Sequence, residues 1–156
     1  MQRTLVCAVI DGAENDDAVA RAVALGERLG LRLVLAHVVD GIAAFGNDGG
    51  ESVTMKGERK AAERRLEELA RDHDLEDRTV RRVAVGNPTM LLGQIAAEEG
   101  ADAIVVGART RRWPRRGLES RVAQELMTET PVPVLIAPPR TRRPQKREAA
   151  NGAQRR

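Results

Sequence analysis

Asp11 closes the first apolar run, Leu5–Ile10 (LVCAVI), and Gly107 closes the fourth, Ala103–Val106 (AIVV). A carboxylate at Asp11 can accept hydrogen bonds from a ligand. A chain that leaves a strand through Gly107 and enters a helix around Val122 offers free backbone donors at the helix start. Such donors make a ready anion site. Between those two points runs an arginine-rich loop, Arg109 to Glu119. With Arg121 it gathers Arg109, Arg111, Arg112, Arg115 and Arg116 near the same place. Guanidinium forks match phosphate oxygens well. The other reading is an exposed loop whose charges are simply solvated. Trp113, inside the loop, is either a lid over a ligand or part of a partner surface.

Other chemistry finds little purchase. The chain has no GxxxxGK[ST], no GxGxxG after the first strand, and no GxSxG, HExxH or CxxC. His37 falls within the second strand and His73 ends a charged helix, so one is expected in the core and one at the surface. The carboxylate pairs Glu67-Glu68 and Glu98-Glu99 are expected on solvent faces of helices. Cys7 is the single cysteine. It excludes an internal disulfide and paired-cysteine metal sites, and in an apolar strand it reads as a small core residue. No constellation here supports catalysis.

Short apolar runs and helical patterns alternate along the chain. Strands are expected at Leu5–Ile10, Leu31–Val39, Arg78–Val85, Ala103–Val106 and Pro131–Ile136, the last at a sheet edge or end because of Pro131 and Pro133. Helices are expected after Asp11, with Val19, Ala22, Val23, Gly26 and Leu29 at helical spacing, and from Lys56 to His73. Two more follow Pro88 and surround Val122 to Thr128. Gly30 and Gly100 are placed to end helices. Asp40 to Thr54 is Gly-rich and reads as a long mobile loop. The order β-α-β-α-β-α-β-α-β implies a parallel sheet with right-handed crossovers. Ligands of such sheets sit beyond the carboxyl ends of the strands, here at Asp11, Val39 and Gly107.

The 156 residues suit one domain. With no Tyr, one Phe and one Trp, the core must be aliphatic, and base-stacking platforms are lacking. Residues 138–156 hold seven basic residues and one acid, so this tail carries +6 of a net +3 and the body carries −3. The tail has no apolar periodicity and is expected to be disordered. It serves solubility, or it contacts nucleic acid, acidic lipid or acidic protein. The first residues lack the pattern of a signal peptide, and no apolar run has membrane-spanning length. A cytoplasmic protein is expected.

Over residues 2 to 137 the chain resembles the universal stress protein family. The carrying segments, in order, are LVCAVIDG (Leu5–Gly12), LVLAHVV (Leu33–Val39), VGNP (Val85–Pro88), ADAIVVGAR and TPVPVLIAP. The resemblance implies a doubly wound α/β fold with five parallel strands, and a homodimer through the last strand. Many members of the family bind ATP through Gly-x2-Gly-x9-Gly-Ser/Thr, where Mg²⁺ can bridge the phosphates, and others lack the motif and do not bind ATP. Here that motif falls on Gly107, Thr110, Ser120 and Arg121, so only the first glycine survives. By the same resemblance Asp11 and Val38 contact the adenosine, while Arg109 and Val122 flank the phosphates. Left-handed backbone at Thr110 would cost about 1–2 kcal/mol. The expectation is a non-catalytic stress-response module with a degenerate nucleotide site that binds a regulator or protein partner. The alternative is an ATP-binding, slowly hydrolysing protein that uses the arginines on phosphates.

Overall fold

The computed structural model describes residues 2–10, 15–40, 53–107 and 121–138. Five strands are β1 (Thr4–Val9), β2 (Arg32–Asp40), β3 (Thr79–Gly86), β4 (Ala101–Gly107) and β5 (Val134–Ala137). Four helices connect them: α1 (Asn15–Leu29), α2 (Val53–Asp72), α3 (Pro88–Glu98) and α4 (Arg121–Glu129). The sheet order is β3-β2-β1-β4-β5, and every pair is parallel. The parallel sheet is the one expected from the alternating sequence, and its double winding is the one the resemblance implied.

Period-two side chains of the central strands feed two separate cores. Leu5, Cys7 and Val9 of β1 meet Leu33 and Leu35 of β2, Ala18, Val19 and Ala22 of α1, and Leu66, Leu69 and Ala70 of α2. On the opposite face Val6 and Ala8 meet Val34, Ala36, Ile104 and Val106, covered by Leu92, Ile95 and Ala96 of α3 and by Ala123 and Leu126 of α4. All six residues of β1 are buried, which explains the unbroken apolar run that follows Thr4.

Helix ends follow local chemistry. Gly30 (φ 65°) lets Leu31 N–H donate back to the Gly26 carbonyl at 2.8 Å, a left-handed cap. α3 starts on Asn87, whose side chain accepts from Met90 N–H at 3.0 Å, with Pro88 in the first turn. α2 ends differently. Asp74 takes the left-handed position (φ 55°), with Leu75 N–H on the Ala70 carbonyl at 2.7 Å and Asp74 N–H on that of Arg71 at 3.2 Å.

Three expectations need correction. Asp40 is the last residue of β2, and Val53 and Thr54 already belong to α2, so the expected loop of Asp40 to Thr54 is wrong at both ends, and the rest of it, 41–52, lies outside the described residues. Pro131 and Pro133 precede β5, and the prolines therefore remove no donor from the strand. Glu99 is not on a solvent face. Its side chain is only 13% exposed and takes Arg32 on one oxygen and Arg82 on the other, the second at 2.6 Å. Arg82 also holds Glu98 at 2.6 Å. Guanidinium charge at the carboxyl end of α3 matches the negative end of the helix dipole and ties that end to β2 and β3.

Candidate nucleotide site

β1 and β4 are neighbours, but their following helices leave to opposite faces. The carboxyl ends of the strands are consequently free to form a crevice between them. One wall is the junction of β1 with α1. There Asn15, 3% exposed, uses its side-chain oxygen to accept from Ile10 N–H and its amide nitrogen to donate to the Ile10 carbonyl, both at 3.0 Å. This two-bond clip fixes where β1 ends and α1 begins. Sequence reading missed Asn15. Its signal was an Asn just ahead of a helical pattern, obscured by the acids around it.

The other wall is Gly107 and the start of α4. Gly107 stands at the last rung of β4, opposite Ala137 of β5. Arg121 and Val122 open α4; Val122 leans on the core beneath, and Arg121 is almost wholly exposed. The Arg121 guanidinium lies on its own helix, with Nε donating to Glu125 Oε1 at 2.8 Å. Glu125 Oε2 accepts from the hydroxyl of Thr89, a buried residue in the first turn of α3, at 2.7 Å. The Thr89 hydroxyl, with Arg121 beside it, holds the Glu125 carboxyl below the usual carboxylate range. A charged carboxylate thus stands one helical turn from the start of α4. Neither Thr89 nor Glu125 could be read from the sequence, because their meeting depends on α3 packing beside α4.

Val38 lies at the carboxyl end of β2, but its side chain is buried with the α3–α4 core. Only its backbone can face a ligand. Asp11, Arg109, Thr110 and Ser120 lie outside the described residues, as do Trp113, the other loop arginines and the tail from residue 139. The structure thus brings Val38, Gly107, Arg121 and Val122 to the carboxyl side of the sheet.

His37 is buried in β2, as expected of a core histidine. His73 is half-buried rather than a surface residue, with Nε2 3.4 Å from Asp16 Oδ1. A cavity of about 560 Å³ lies over β2 beneath α2, lined by His37, Val39, Asp40, Arg64, Arg65 and Glu68. Its mixed charges select no single ligand. Among the described residues no group of three His, Cys, Asp or Glu side chains could hold a metal ion. No described helix is long and apolar enough to cross a membrane.

Residues 1–138 match the sequence model of the universal stress protein family. The chain belongs to that family. Among solved structures it is similar to the universal stress protein UspA from Lactobacillus plantarum, with 19% identity, a TM-score of 0.72, and coverage of 88% of this chain and 99% of that one. A universal stress protein solved in complex with cAMP is 21% identical, with a TM-score of 0.63 over 86% of this chain and 95% of that one. One from Archaeoglobus fulgidus, in complex with dAMP, is 19% identical, with a TM-score of 0.60 over 86% and 96%. At such identities the likeness is one of fold. No curated protein matches the sequence significantly.

Proposed function

We propose that this universal stress protein is a non-catalytic stress-response module, acting by binding a regulator or protein partner, with a degenerate nucleotide site. The observation that supports this reading is the direction taken by Arg121. It stands where the family pattern has a hydroxyl residue, and its guanidinium is already matched to Glu125. The carboxylate, steadied by Thr89, puts negative charge beside the helix start that phosphates would use. Of the motif's three glycines only Gly107 is kept, and the Glu125 charge at the start of α4 counts against a phosphate there.

Calorimetric titration of the full chain with ATP and Mg²⁺ at moderate salt is the test. Weak binding, in the millimolar range, is expected. Saturable micromolar binding with an elevated melting temperature overturns the reading and establishes the second one, an ATP-binding protein with slow hydrolysis. That alternative draws support from the relatives solved with cAMP and dAMP and from the loop arginines in the sequence. It predicts metal-dependent turnover that disappears in Asp11→Ala. Removing the repelling charge in Glu125→Gln should tighten ATP several-fold under either reading. The homodimer implied by the resemblance is measured by light scattering of the full chain.

A further inference from the structure

The amino ends of the strands carry a slot of their own, on the side of the sheet away from the crevice. A cavity of about 280 Å³ lies between the last turns of α1 and the chain that leads into β3. Ala22, Leu33 and Leu75, all buried, and the half-buried Val23 and Leu31 give it an aliphatic lining. Gly26 and Gly30 line it without contributing a side chain. The far wall is held by its own backbone. Leu75 N–H donates to the Ala70 carbonyl at 2.7 Å, and Arg78 N–H to the Leu75 carbonyl at 3.0 Å. β5 lies at the far edge of the sheet, so the seam of the homodimer that the resemblance implies is elsewhere.

Two opposite charges stand at this slot. Glu27 and Arg78 both line it, each side chain is more than half exposed, and Arg78 Nη2 is 3.4 Å from Glu27 Oε1. A well-made guanidinium–carboxylate hydrogen bond is about 2.7–2.9 Å long, so each group keeps capacity for another charge. Glu27 is also an acid in the last turn of α1, where the negative end of the helix dipole disfavours a carboxylate and favours a cation. An ammonium seated there meets the carboxylate and the helix end together. A carboxylate beside it meets Arg78.

We propose that this slot binds a free α-amino acid with a branched aliphatic side chain, of the leucine type. Its ammonium sits on Glu27, its carboxylate on Arg78, and its side chain against Ala22, Leu33 and Leu75. The site is separate from the crevice and stands whether or not a nucleotide or a protein partner binds elsewhere. Size and charge both select this class. Pockets for drug-sized ligands begin at about 300 Å³, so this one suits a single amino acid rather than a nucleotide. Glu27 repels phosphate as well. A fatty acid satisfies Arg78 and leaves Glu27 unmet, and an aliphatic amine does the reverse. A zwitterion with an apolar body meets all three parts of the slot.

The probe is L-leucine, titrated into the isotopically labelled full chain and followed by amide NMR. Saturable binding is expected, with a Kd of about 1 mM or tighter and shift changes at Gly26, Leu31, Leu75 and Arg78. Two analogues divide the head group. Leucinamide lacks the carboxylate and 4-methylpentanoate lacks the ammonium, and each should bind about fivefold more weakly, as loss of one exposed ion pair implies. Arg78→Gln should weaken leucine to the level of leucinamide and leave leucinamide no weaker. Glu27→Gln should weaken leucine to the level of 4-methylpentanoate and leave that analogue no weaker. Both side chains are exposed, so the melting temperatures of the variants should stay close to that of the native chain. Failure to saturate by about 20 mM leucine, or equal binding of glycine or of 3-methylbutanol, overturns the proposal. So do shifts confined to residues outside the slot, and leucine binding that both variants leave unchanged.

Discussion

At the scale of single residues, burial decides what each reactive group can do. The Cys7 thiol sits at the centre of β1 with no exposed surface, and burial pushes its pKa up to about 12. The native protein should therefore resist iodoacetamide at pH 8, and mass spectrometry should find modification only after denaturation. Asn15 is equally buried, but its work is done through hydrogen bonds. Asn15→Leu leaves the Ile10 N–H and carbonyl without those partners and should cost about 1–3 kcal/mol in urea unfolding. Glu99 carries a pH signature. Arg32, and then Arg82, hold its carboxyl below the ordinary value of 4.5. A carboxylate with a depressed folded pKa contributes stability that is complete above its unfolded pKa and is lost as pH falls through the folded value. Melting temperature should decline as pH drops below about 4.5, and Glu99→Gln should flatten the decline. Cys7 was legible as a core residue from its apolar neighbours alone. Glu99 was not, since its two arginines come from different strands.

Elements were legible wherever their boundaries follow from local steric rules. Gly30 and Gly100 end helices as expected, both in the left-handed region (φ 65° and 59°). α2 ends one residue before the expected His73, but what ends it could not be read, because an aspartate among charged residues carries no stop signal. Asp74 nevertheless occupies the position at which glycine is free of strain. Asp74→Gly should stabilise the protein by about 1 kcal/mol, measured as an increase in urea midpoint with unchanged slope. Gly86 makes the opposite case. Its φ of 148° strains any side chain, and an added Cβ would lie 2.9 Å from Leu91 Cδ1. Gly86→Ala should therefore lower stability by about 1–3 kcal/mol and loosen the entry into α3. The fifth strand shows why pattern reading overshoots. Pro-Val-Pro-Val alternates like a strand, yet pairing with β4 begins only at Val134.

For the whole molecule, the alternation of apolar runs and helices was enough to predict the parallel α/β fold, and the family segments were enough to predict its winding. The two walls of the crevice were partly foreseen through Gly107 and Val122. The Thr89–Glu125–Arg121 chain was not, because it joins helices separated by β4, and neither the charges nor the spacing of one helix reveals its neighbour. The sheet order β3-β2-β1-β4-β5 also has a consequence for how the protein is made. During synthesis, β1, β2 and β3 can assemble under α1 and α2 as they leave the ribosome. Until α3 arrives, Val6, Ala8, Val34, Ala36 and Val38 on the other face are uncovered. Until β4 arrives, the buried central strand β1 is itself an open edge. A half-made chain is therefore a template for stray strands and a client for chaperones. Release from that hazard comes with the C-terminal third, which carries the strand that shields β1 and the helix that completes the second core.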